Sequence, residues 1–142
     1  MSTLIDLNSW PRRAAFEHFR QLGQPFFSLC ARVDVRGLAA RIASVPGATQ
    51  FLAYHHAALG AINSIDVFRM RLDGDGVRLH ERVMGSTTLL RDDATLAFAE
   101  LPYDPDFGRF AATALPAIAA ARAAPFALGQ STSAVVYMTT LP

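Results

Sequence analysis

Two adjacent histidines, a cluster of hydroxyls and a pair of arginines are the side chains in this sequence best able to do chemistry. His55-His56 invites a metal or base reading. Adjacent residues on a helix point about 100° apart, so the two rings cannot chelate one ion. Helix-face or core histidines with ordinary hydrogen bonds are the simpler reading. His18 and His80 lie far apart, with no second ligand at metal spacing. With no His-Glu-x-x-His and no Cys-x-x-Cys, no metal site is expected. Asp73-Gly74-Asp75-Gly76 lacks the glutamate that closes a calcium loop, and reads as a hairpin turn. Gln130-Ser131-Thr132-Ser133 gathers hydroxyls before an apolar run. No Gly-x-Ser-x-Gly is present, so a nucleophilic serine is not supported. All 13 basic residues are arginine. Without lysine there is no Walker A grip, no Schiff base and no lysine base.

Arg12 and Arg13 fall in the first turn of an expected helix, where cations oppose the helix dipole. They therefore need partners elsewhere, and Arg13 can reach Glu17 one turn on. Phe19, Phe26 and Phe27 gather at a helix–strand junction. Such a group can be core, or it can stack against an aromatic ligand. Neighbouring strand residues face opposite sides, so one of Phe26 and Phe27 can be core and the other pocket.

The elements that must position these groups follow from pattern. Ser9 can cap a first helix with Pro11 in its opening turn, running to about Leu22. Phe26 to Val33 is aromatic and β-branched, and predicts a buried strand. Asp34 is the expected cap of a short helix through Ser44. Thr49 to Asn63 has apolar residues at helical spacing and predicts a buried central helix. Val67 to Leu72 and Val77 to Glu81 flank the Asp-Gly turn as paired strands. Ser86 to Leu90 and Ala94 to Glu100 predict further strands, the second with helix as an alternative. Asp104 or Asp106 opens an alanine-rich helix to about Ala124, bent at Pro116. Ala134 to Leu141 predicts a last strand. Helices with an antiparallel meander imply an α/β sandwich with helices on one face of the sheet.

Composition narrows the function. Apolar residues make up 51% and charged residues 18%, which argues for a packed core and against disorder. One domain over 1–142 is the default at this length. A net charge of +1 gives no electrostatic case for nucleic acid or an anionic membrane. Cys30 is the single cysteine, so no intrachain disulfide is possible. No signal peptide and no membrane span are recognisable, and the cytoplasm is the expected compartment.

The opening Ile5-Asp6-Leu7-Asn8-Ser9-Trp10-Pro11-Arg12-Arg13, followed by Phe16-Glu17-His18-Phe19, resembles that of chloramphenicol acetyltransferases. The order then continues through Asn63, Phe68-Arg69-Met70-Arg71, a glycine turn, a return strand and Tyr103-Asp104-Pro105-Asp106-Phe107. The resemblance implies a two-layer α/β sandwich with a mixed, mostly antiparallel sheet. It implies acetyl-CoA as co-substrate, no metal, a small hydroxyl-bearing acceptor such as chloramphenicol, and a homotrimer. Family members carry their base in a His-His-x-x-x-Asp-Gly motif. Here His55-His56 is followed by Ala57-Ala58-Leu59-Gly60-Ala61, and no such motif occurs. The chain is therefore expected to be truncated at its C-terminus and inactive alone.

By the same resemblance, Arg12 pairs with the aspartate of that motif, and Phe19, Phe26 and Phe27 line the acceptor pocket. Ser131 matches the family's oxyanion serine if no gap is introduced, with Ser133 the alternative. The family's Ser-Ala-x-Pro-Trp element then loses its Pro-Trp to Ala134-Val135, and its Phe-Thr-Val-Phe-His strand is replaced by Ser86-Thr87-Thr88-Leu89-Leu90-Arg91. A non-catalytic binding or oligomerisation domain of the same fold is the alternative function.

Overall fold

The computed structural model describes residues 1–126 and 132–140. In chain order the elements are β1 (Ser2–Leu4), α1 (Arg13–Phe19), α2 (Leu38–Ala43), α3 (Gln50–Asn63) and α4 (Asp66–Arg69). They continue with β2 (Met70–Asp73), β3 (Gly76–His80), β4 (Met84–Leu90), β5 (Leu96–Leu101), α5 (Phe107–Ala123) and β6 (Val135–Met138). The class is mixed α/β, as expected. Among the described residues the strands form two three-stranded sheets, ordered β1-β3-β2 and β5-β4-β6, rather than one. All pairs are antiparallel except β4–β6, which is parallel.

Local chemistry explains the firmest elements. Thr49 caps α3 by accepting from the Leu52 amide, and Asp106 caps α5 by accepting from the Arg109 amide. Gly74 takes φ +56° in the two-residue turn between β2 and β3, a conformation that suits glycine. The second sheet's β4 and β5 alternate strictly, and Thr87, Leu89, Ala97, Ala99 and Leu101 turn inward. Against them pack Leu52, Ala53 and Leu59 of α3 and Phe107, Phe110 and Ala114 of α5. β4 approaches α3 closely at Gly85, where a Cβ would meet Leu59 Cδ1 and Met138 Sδ at 3.3 Å.

Several expectations are corrected. Phe26 to Val33 is not a strand and is not buried: Phe26 is 85% exposed and Phe27 91%. A strand needs a neighbour to pair with, and among the described residues none lies alongside this segment. Ser9 does not cap the first helix, which starts at Arg13 with Arg12 at its cap; the Ser9 hydroxyl bonds the Asp6 carboxylate instead. Asp34 pairs with Arg36 and Gly37 stands at the cap of α2. Val67 to Arg69 form the short helix α4 rather than the start of β2. The segment from Leu96 is a strand, which resolves that alternative.

Candidate functional site

The first helix meets the first sheet around an open, mainly apolar hollow of about 370 Å³. Trp10, Phe16 and Phe19 line it from the N-terminal side, and Val67, Met70 and Leu72 from the other. Trp10 and Phe16 pack with centroids 5.9 Å apart. Arg20 fastens this helix to the β2–β3 hairpin: Nη2 donates to Asp75 Oδ1 at 2.6 Å and Nη1 to Asp75 O at 2.9 Å. Its guanidinium also lies 5.2 Å from the centre of the Phe16 ring.

Arg12 lines the same hollow and, among the described residues, its side chain has no hydrogen bond or ion pair. Arg13 is used locally, with Nε donating to Glu17 Oε1 at 2.6 Å and Nη1 to Asn8 Oδ1 at 3.0 Å. The structure thus brings Arg12 and Phe19 to one cavity. Pro25 reaches its rim, whereas Phe26 and Phe27 are not among its lining residues. Neither phenylalanine is core, which corrects the expectation that one of them would be. Ser131 lies outside the described residues.

The histidines divide by their partners. His55 is buried and donates Nδ1–H to Phe51 O at 2.8 Å, leaving Nε2 to accept from the Thr87 hydroxyl at 3.1 Å. His56 accepts from Arg41 Nη1 at 3.2 Å on Nδ1 and donates Nε2–H to Asp104 O at 3.0 Å. Its ring packs among Tyr103, Phe107 and Phe110. Burial holds both rings below the ordinary histidine range, and for His56 the nearby Arg41 charge adds to this. Both pairs of ring nitrogens are thereby committed to structural bonds. Among the described residues no cluster of His, Cys, Asp or Glu could hold a metal ion, and no helix is long and apolar enough to cross a membrane.

His80, read from the sequence only as lacking a second metal ligand, has a partner that the sequence did not show. It is 7% exposed, and its Nε2 lies 3.1 Å from the hydroxyl of Ser133. Two strand ends meet here, His80 closing β3 and Ser133 preceding β6. Beside this contact Met84 N donates to Ala134 O at 2.9 Å, and Arg71 Nη2 donates to Val135 O at 2.9 Å. The chain separation of 53 residues gives no local signal. Only a correct pairing of β6 with β4 would have revealed it.

The family model described as chloramphenicol acetyltransferase matches residues 1–134. The chain belongs to the chloramphenicol acetyltransferase family. A chloramphenicol acetyltransferase from Streptomyces acrimycini is 35% identical over 117 residues, covering 81% of this chain and 53% of that protein. A solved chloramphenicol acetyltransferase structure superposes with a TM-score of 0.77 at 26% identity, covering 98% of this chain and 64% of its own. The chain therefore spans about half the length of the curated relative it matches. Within the family's opening, Trp10, Arg12, Phe16 and Phe19 gather around the cavity.

Proposed function

We propose that this chain supplies the acceptor-side wall and the oxyanion hydroxyl of an acetyltransferase moving acetyl from acetyl-CoA to a hydroxyl of chloramphenicol or a similar small molecule. The observation that carries this reading is Arg12, an exposed cation without a partner among the described residues, at the edge of a mainly apolar hollow. The family resemblance assigns that cation an aspartate from a His-His-x-x-x-Asp-Gly segment, which these 142 residues do not contain. In the reaction, the acceptor oxygen attacks the thioester carbonyl while that segment's histidine takes the hydroxyl proton. A serine hydroxyl donates to the oxyanion, the carbon–sulfur bond breaks, and coenzyme A leaves as its thiol with no acyl-enzyme.

Two serines compete for the oxyanion role. Ser133 has support that Ser131 lacks: Ser133-Ala134 reproduces the Ser-Ala of the family element. Tyr137 then falls where the family has its tryptophan. Phe19, with Phe26 and Phe27 from an extended wall, would contact the acceptor. The assembly implied is a homotrimer with the acceptor between subunits.

Thiol release from acetyl-CoA with chloramphenicol tests the reading. The chain alone should turn over near the uncatalysed rate, and a family C-terminal segment added in trans should raise it. A second reading, a non-catalytic oligomerisation domain, is favoured by the exposed Phe26, Phe27 and Leu29. Under it the added segment would change nothing.

A further inference from the structure

We infer that His80 is a positioning residue that donates its Nε2–H to Ser133 Oγ and so frees the serine's own proton for an oxyanion. This rests on the reading of Ser133 as the oxyanion hydroxyl. A serine hydroxyl has one proton to give. If that proton goes to the imidazole, nothing is left to stabilise charge on a substrate oxygen. If the imidazole donates instead, the hydroxyl oxygen is satisfied and its proton can point outward.

The surroundings leave His80 in control of this choice. The backbone after Ser133 is fixed by Met84 N to Ala134 O and by Arg71 Nη2 to Val135 O. What remains free is the side-chain rotamer and the hydroxyl rotor. Among the described residues the ring of His80 is the partner of that hydroxyl, at 3.1 Å. Ser133 itself is exposed, so the far side of its oxygen is open to an incoming group. The ring is buried, and it is anchored by its own backbone, whose carbonyl accepts from Arg69 Nη1 at 2.7 Å. Burial favours the uncharged ring, and so do Arg71, Arg78 and the N-terminal amine, with Asp73 opposing them. An uncharged ring carries a single proton, and its location decides which way the bond runs.

Long-range proton–nitrogen spectra of the full chain read that location directly. The expected result is a protonated Nε2 on His80, whose shift moves in Ser133→Ala while Nδ1 stays. A protonated Nδ1, or an Nε2 indifferent to Ser133→Ala, would overturn the inference. Activity supplies a second reading in the mixture reconstituted with the family segment. His80→Leu should lower kcat about tenfold with KM little changed, a fraction of what a lost oxyanion donor costs. His80→Gln, which keeps an N–H donor, should recover most of it. Equal loss in both variants, with unchanged melting curves, would contradict the positioning role. A reconstituted mixture without any transfer would instead count against the proposed function, and the spectra would still decide the bond.

Discussion

His55 and His56 are neighbours in sequence but serve different surroundings. His55 faces Thr87 on β4, and His56 bridges α2 to the segment before α5. Thr87→Val removes the hydroxyl that His55 Nε2 accepts from and leaves a buried acceptor unsatisfied. We expect a loss of about 1–3 kcal/mol, read as a lower urea midpoint at unchanged slope. The rings also predict a pH dependence. Burial lowers the folded-state pKa of His55, His56 and His80, so below the ordinary histidine range the unfolded chain binds more protons than the folded one. Stability from this source is therefore full above about pH 7 and falls as the pH drops through about 6.5 and below. Urea midpoints measured across pH 5 to about 8 should show that sign, and a rise on acidification would contradict it. The helical angle between adjacent residues already separates the rings of His55 and His56 in the sequence, and in the structure they bond different partners. The sequence could not show His80 meeting Ser133, because that contact exists only after β6 has paired.

At the scale of elements, the helices with side-chain caps were the most legible. Thr49 and Asp106 are cap residues by chemistry, and the observed helices begin beside them. Thr49→Ala should cost about 1 kcal/mol in a thermal or urea melt. Asn63 does more than end α3. Its Nδ2 donates to Leu59 O at 2.9 Å and Val83 O at 3.0 Å, and its Oδ1 accepts from Val83 N at 2.9 Å. It thereby pins the helix to the start of the second sheet, next to a fully buried Val83. Asn63→Ala should cost about 2–4 kcal/mol, because backbone groups of Val83 lose their partner. The segment from Phe26 to Val33 misled the sequence reading for the opposite reason. Strand preference measures fit to a neighbouring strand, and the described residues place none beside it. Val67 to Arg69 misled it through an alternation too short to outweigh a helical turn, which the Arg69–Asp66 ion pair closes.

For the molecule as a whole, the chain spans about half the length of the curated relative it matches, and the family's fold is recognisable over nearly all of it. Exposed on its surface are an apolar stretch at Phe26, Phe27, Leu29 and Val33 and the mainly apolar hollow that Arg12 lines. Phe26→Asp with Phe27→Asp should reduce self-association on size-exclusion chromatography and leave the melting temperature within error, since neither ring packs against the core. A large drop in melting temperature would show that this segment is buried in solution.

The most direct test supplies the chain with a segment bearing the family's histidine motif. Thiol release from acetyl-CoA should stay near background for the chain alone, rise when a segment bearing His-His-x-x-x-Asp-Gly is supplied, and fall again when Arg12→Ala is combined with that segment. Turnover by the chain alone well above background, or no rise with the segment present, would contradict the account.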